Sequence, residues 1–241
     1  MALPSRLAAA LLACAVAGAA AAPLCRAHAA PTPPLVVELY TSEGCSSCPP
    51  ADRWLSTLLG RSDVIALAFH VDYWDRLGWT DRYATPAGTA RQRELARRAG
   101  SDGVYTPQVI VDGVDRRDWR LMRRPGAAGA GAPALELGRD GDLVEVEVGA
   151  LAAAPRELAG YWAVVEDGYA SRVRAGENAG ATLHDDAVVR LYKPLPPWSG
   201  AAAMQARIEV TRGVAAHPRR VVFVVTDAAS GRPLQALALG C

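Results

Sequence analysis

Lysine is almost missing from this chain. Lys193 is the only one, and arginine carries the rest of the basic charge. The 26 basic residues face 25 acidic ones, a formal net charge of +1. A balance so close to zero makes no field that would gather nucleic acid or an acidic membrane surface, so those partners are excluded. Scarce lysine beside abundant alanine reflects a GC-rich bacterial genome more than a function. The sequence also lacks an internal repeat, a second C-x-x-C, the paired carboxylates of a glycosidase, and an apolar run that would span a bilayer comfortably. What it has is 241 residues, 51% of them hydrophobic, enough for one large domain or two modest ones with real cores.

The N-terminus reads as a leader. Arg6 is a short basic region, Leu7 to Ala22 is uncharged and rich in Ala and Leu, and Ala27-His28-Ala29 offers the small–x–small pattern of a signal peptidase site. Leu11-Leu12-Ala13-Cys14 resembles a lipoprotein box but lies too near the start to leave a hydrophobic region ahead of it. Residues 1–29 are therefore expected to be a signal peptide, with Ala20-Ala21-Ala22 as a second cleavage site. The mature protein would be periplasmic or secreted, without a stable membrane span. A cut near Ala30 removes Cys14 and Cys25 and leaves Cys45, Cys48 and Cys241, the last without a partner in the chain. In an oxidising compartment the close pair will tend to be a disulfide.

Beyond the leader, Leu35 to Tyr40 and Val64 to Val71 read as buried strands, and Gln108 to Val111 as a third, closed by Asp112-Gly113. Pro49-Pro50 followed by apolar residues at helical spacing places a helix start close to Cys48. Thr85-Pro86 opens a second helix that runs to Arg98. Strands alternating with helices point to an α/β layer with parallel pairing over residues 34–124. Residues 125–133 read as a Gly/Ala linker. Seven short, mostly alternating or Val-rich stretches over residues 134–241 suggest an all-β, sandwich-like domain.

The chemistry gathers at Cys45-Ser46-Ser47-Cys48. At a helix N-terminus, unpaired N–H groups and the dipole favour a thiolate on an accessible first cysteine, and a second cysteine one turn in can resolve a mixed disulfide. C-x-x-C also occurs in zinc sites, but no second pair is present to complete one. Further along, Tyr105-Thr106-Pro107-Gln108 sets a proline directly before a strand, where it cannot donate to a ladder.

With Tyr40-Thr41-x-x-Gly44-Cys45-x-x-Cys48 and Pro107-Gln108-x-x-x-Asp112-Gly113, the chain resembles the thioredoxin-like superfamily, glutaredoxins in particular. That resemblance implies a thioredoxin-like α/β fold, Cys45 as nucleophile, Cys48 as resolver, Pro107 as a cis-proline, and a Thr106 backbone that pairs with substrate. Gln108 and His70 would complete the substrate side. Val114-Asp115-Arg116-Arg117-Asp118 stands where glutaredoxins hold glutathione, so the resemblance does not extend to that thiol. The chain also resembles an exported bacterial family known as domain of unknown function 1223, through Glu38 to Asp52, His70-Val-Asp-Tyr-Trp-Asp, Thr106-Pro-Gln-Val and Gly176-Glu-Asn-Ala-Gly. That second resemblance brings no reaction.

Other polar residues have plain alternatives. His70 ends a strand and could protonate a leaving thiolate, or be satisfied locally; Asp72 and Asp75 could orient it. Glu38 is offset from the place of a thioredoxin proton shuttle. Gly176 to Gly180 and His184-Asp185-Asp186 concentrate polar groups and read as a turn-rich connection, with a cation or substrate site as the alternative. Cys241 reads as a frayed terminal thiol, and Trp162 and Trp198 as core or edge. The expected function is thiol–disulfide exchange on a periplasmic protein or small-thiol client, with a redox partner and no cofactor or resident metal. The alternatives are a Cu(I) carrier using Cys45, Cys48 and His70, and a partner-binding protein whose disulfide only stabilises.

Overall fold

The structure, a computed structural model, describes residues 25–121, 131–151 and 156–241. Most of the proposed leader and residues 125–130 of the proposed linker lie outside them. Along the chain come β1 (Cys25–His28), β2 (Leu35–Thr41), α1 (Pro49–Ser56), β3 (Val64–His70), a 3-10 segment (Asp72–Leu77), α2 (Pro86–Arg98), β4 (Gln108–Val111) and the two-residue β5 (Val114–Asp115). A second short 3-10 turn covers Trp119–Leu121. Then follow β6 (Leu135–Asp140), β7 (Leu143–Val148), β8 (Glu157–Glu166), β9 (Tyr169–Arg172), β10 (Thr182–Asp185), β11 (Val188–Ser199), β12 (Met204–Glu209), β13 (Arg219–Asp227) and β14 (Pro233–Leu239).

Most of these elements lie where the residues place them. Pro49 and Pro50 occupy the first helical turn of α1, where missing N–H groups cost nothing, and Cys48 is the N-cap. The Thr85 hydroxyl accepts from the Gly88 N–H at 3.0 Å and starts α2. Asp112 and Gly113 both take positive φ in the turn after β4.

The assembly of the elements corrects the expected fold class. The protein is not a thioredoxin-like α/β domain followed by a separate sandwich: among the described residues 44% are strand and only 15% helix, arranged in three sheets. One eight-stranded sheet, β14-β13-β8-β11-β3-β2-β4-β5, draws strands from both halves of the chain. Among the described residues, parallel pairing is confined to β2 with β3 and a single Val188–Ala68 pair between β11 and β3, while β4 joins β2 antiparallel. The physical reason lies in how burial reads. β2 is buried at every position, and a continuous apolar run says that both faces are covered without saying by what. Here one face carries α1, over a core that includes Val37, Leu39, Ala51 and Leu55. The other face shares a core with later strands, where Val36, Tyr40 and Phe69 pack with Tyr161, Ala163 and Val224.

A four-stranded sheet, β1-β6-β7-β12, covers the opposite face of β8 and β13 around Trp162 and Phe223. Their rings meet edge-on at 4.7 Å, so Trp162 is core. Strand β1 lies inside the segment expected to be leader. It pairs with β6, and Cys25, Ala27 and Ala29 pack against the same core. Cys241 is not a free end: it is joined to Cys25 as a disulfide, with Cα atoms 6.3 Å apart. The third sheet is the hairpin β9–β10, an arm that leaves the second half of the chain and packs β10 on α1.

Candidate functional site

Strand β2 delivers the chain to the motif loop, and α1 begins on its far side. Cys45 and Cys48 form a disulfide with Cα atoms 5.5 Å apart. The Cys45 N–H donates to the Ser42 carbonyl at 3.1 Å and the Cys48 N–H to the Cys45 carbonyl at 3.2 Å, a tight turn that sets both sulfurs at the first turn of α1. The accessible first cysteine expected from the motif is not observed. Cys45 and Cys48 are both fully buried, and only Ser46 and Ser47 reach the surface.

Thr106 and Pro107 lie at the same end of the sheet, because Gln108 opposes Tyr40 in the β2–β4 register. The Thr106–Pro107 bond is cis. The Thr106 hydroxyl accepts from Trp74 Nε1 at 2.8 Å, and Trp74 packs beside Gly44, so the 3-10 segment bridges the two loops. Gln108 is engaged within the protein rather than presented to a client. Its amide oxygen accepts from Gln92 at 2.9 Å and its nitrogen donates to Asp115 at 2.9 Å.

Beneath the motif lies a cluster of buried polar side chains. His70, at the end of β3, pairs its Nδ1 with Asp81 at 2.7 Å, and neither Asp72 nor Asp75 orients it. Asp72 instead accepts from the Thr89 hydroxyl, and Asp75 accepts from the Asp81 N–H. Helix α2 is pressed against this strand end: a side chain at Gly88 would place its Cβ 2.9 Å from the His70 carbonyl oxygen. Burial by itself would lower the His70 pKa, but the Asp81 charge and hydrogen bond, with Asp185 and Asp52, lift it to about 9. Burial would raise the Asp81 pKa, but the His70 charge and hydrogen bond outweigh it and hold the carboxyl below its ordinary value. Asp52, one helical turn beyond Cys48, is pushed up to about 7 by burial and by the charge of Asp185. Asp185, on β10, is pushed up to about 6, again by burial first.

Three buried polar atoms in this cluster have no hydrogen-bond partner among the described residues: Glu43 Oε1, His70 Nε2 and Asp185 Oδ2. Such atoms are expensive unless water or chemistry uses them. Among the described residues, no group of three or more His, Cys, Asp or Glu side chains is arranged to hold a metal ion.

The loop read as a bland connection belongs to the site. Glu177 accepts from the Ser46 N–H at 3.0 Å and its hydroxyl at 2.8 Å, and the Asn178 amide donates to the carbonyls of Glu43 and Cys45 at 2.9 and 3.0 Å. Asp52 had a signal in the sequence, its i+4 spacing from Cys48. Glu177 and Asn178 lie in the Gly176-Glu-Asn-Ala-Gly segment that carries the family resemblance, but nothing in the sequence tied it to the cysteines more than 130 positions away.

Glu38 is elsewhere. Arg91 donates to both its oxygens, at 3.1 and 2.5 Å, and Tyr40 and Tyr161 donate at 2.6 and 2.8 Å. Burial would raise the Glu38 pKa, yet Arg91 holds it below its ordinary value. This network is structural.

The model of a family described as "Protein of unknown function (DUF1223)" matches residues 36–226. The chain belongs to this family. Its match spans both halves of the eight-stranded sheet and the arm between them. A crystal structure of an Agrobacterium tumefaciens protein is similar at 30% identity and a TM-score of 0.62, covering 85% of this chain and 93% of that one. HBP35 of Porphyromonas gingivalis is similar in fold, with a TM-score of 0.58 at 12% identity, covering 88% of this chain and 76% of that one. No curated protein matches.

Proposed function

We propose that this member of the DUF1223 family is an exported thiol–disulfide exchange protein acting on a periplasmic protein or small-thiol client. The observation that carries the reading is the Cys45–Cys48 disulfide at the first turn of α1, backed one turn on by Asp52. In the reducing direction, the Cys45 thiolate attacks one sulfur of a client disulfide. A bond forms between Cys45 and that sulfur, and the client's other sulfur leaves as a thiolate and takes a proton. Cys48 then loses its proton, attacks Cys45, and re-forms the Cys45–Cys48 disulfide. The client's second thiolate is released, so two electrons have passed from the pair to the client. A dithiol redox partner restores the reduced pair. Run backwards, the same steps oxidise a client.

Asp52 is suited to take the Cys48 proton: it shares a helix face with Cys48, and an acid near pH 7 can accept and return a proton at neutral pH. The Thr106–Pro107 segment, at the same sheet end, is the surface against which the mixed disulfide would lie. For export, we place the cut upstream of Cys25, at Ala20 to Ala22, because a cut after Ala29 would discard β1 and the partner of Cys241.

The test uses insulin as model client and dithiothreitol as the electron source. A catalytic amount of the mature protein is expected to accelerate insulin reduction, Cys45→Ser to abolish this, and Cys48→Ser to accumulate a one-to-one mixed disulfide through Cys45. Neither acceleration nor a trapped adduct would overturn the proposal.

A further inference from the structure

The arm formed by β9 and β10 begins and ends in the second half of the chain, yet its tip sits on the cysteine loop of the first half. Four hydrogen bonds make that contact, two from Ser46 to Glu177 and two from Asn178 to the Glu43 and Cys45 carbonyls. The tip is self-contained. The Gly180 N–H donates to the Val173 carbonyl, the Ala179 N–H to Gly176, and the Ala181 N–H to Asn178. Gly176 and Gly180 bracket it with φ of +73° and +87°, values that other residues rarely adopt. Behind the tip, the arm is held more firmly. Arg82 donates to the Ala170 carbonyl at 3.0 Å and the Ser171 hydroxyl at 2.9 Å, and the Tyr83 and Tyr169 rings meet at 4.7 Å. The tip also rests on the residues after the 3-10 segment: a Cβ on Gly176 would stand 3.3 Å from Trp79 Cβ.

The consequence is steric. In-line attack on a disulfide needs a third sulfur to reach the line of the S–S bond, and neither Cys45 nor Cys48 has any exposed surface. The tip that sits on this loop is weakly held at its outer edge. Glu177 is exposed apart from its bonds to Ser46, and Gly176 passes close to the chain at Leu77 and Trp79. A firmly seated base, a glycine-bracketed tip and a buried reactive bond together describe a hinged cover.

We propose that the tip of this arm, Gly176 to Gly180, is a gate over the disulfide, and that an incoming sulfur reaches Cys45 only after the Glu177 and Asn178 contacts release. The gate rests on the exchange reading and supplies its access step. It selects clients by their ability to bring a flexible, cysteine-bearing segment into the space that the tip vacates.

Access can be measured without reference to catalysis, as the rate at which excess dithiothreitol reduces the Cys45–Cys48 bond in the oxidised mature protein. Asn178→Ala, which removes two hydrogen bonds, is expected to accelerate reduction about tenfold or more, and Glu177→Ala/Asn178→Ala further. Glu177→Gln, whose amide oxygen still accepts from Ser46, should remain within about threefold of the parent protein. Val164→Ala, in the core between β8 and the four-stranded sheet, controls for lost stability and should leave the rate unchanged in the absence of denaturant. Equal rates in the parent and the double variant would overturn the gate, as would an equal acceleration in Val164→Ala, which would mean that access follows general unfolding. Accelerated reduction together with failed insulin reduction would keep the gate and remove the exchange reading.

Discussion

Asp52 is the side chain on which protonation and chemistry meet. Its pKa is raised to about 7 and that of Asp185 to about 6, from an ordinary carboxylate value near 3.9, so both bind protons more tightly folded than unfolded. Their contribution to stability is therefore fully present below about pH 4 and is lost as pH rises through 6 to 7. His70, raised to about 9, adds stability that is full below about pH 6.5 and lost as pH rises through 9. The folded state should weaken from mildly acid to alkaline pH. In Asp52→Asn the fall between pH 4 and 8 should be shallower by about 1–3 kcal/mol, read by urea unfolding at the two pH values. An unchanged slope would show that Asp52 is not held in the environment described. Removing this negative charge near the cysteines should also favour their thiolate form, making the pair's potential less negative by about 30 mV, a tenfold change in equilibrium. At this scale the sequence was informative about Cys45, Cys48 and the cis bond at Pro107. It was silent about Asp81 and did not place Asp185 beside His70, because their effect comes from burial there, and burial is set by strands far away in the chain.

Helix α2 and strands β2 and β8 are held together by the Glu38–Arg91 network, which also reaches the Tyr192 hydroxyl at 3.1 Å. Arg91 stacks over Tyr161 at 4.3 Å, so its charge is both paired and covered. Arg91→Ala would leave the Glu38 carboxylate buried and unpaired, and should cost about 3–5 kcal/mol in urea unfolding. Arg91→Met/Glu38→Gln should recover a good part of this loss, since no ion remains to be compensated. A loss below about 1 kcal/mol in Arg91→Ala would contradict the burial described. Elements of this kind were readable where periodicity ran for several turns or residues: β2, β3, α2 with its Thr85 cap, β4, β7, β13 and β14. The arm was not. β9 and β10 are four residues each, mixed in polarity, and read as loop because their pairing serves a long-range contact with α1 rather than a local core.

For the molecule as a whole, the seam between the halves is the point at which the sequence misleads. Leu35 to Val111 alternates strand and helix like an α/β unit, and only the long-range pairing of β11 with β3 turns it into one wing of a larger, mostly antiparallel sheet. The Cys25–Cys241 disulfide closes nearly the whole described chain, with a sequence separation of 216. Constraining so long a loop should stabilise the protein by about 2–4 kcal/mol, so Cys241→Ser should lower the urea midpoint to that extent. Thiol titration of the denatured, unreduced mature protein should find no free thiol; one free thiol per chain would mean that Cys25 had been removed with the leader.

The central claim, that Cys45 and Cys48 exchange electrons with a client, is tested most directly by the reduction potential of the pair, measured by alkylation and mass spectrometry of the mature protein equilibrated in defined thiol buffers. The account predicts a value between about −120 and −270 mV, the range of exchange proteins, and towards its reducing end because acidic side chains surround the pair. A value below about −300 mV would mark a structural disulfide and contradict it.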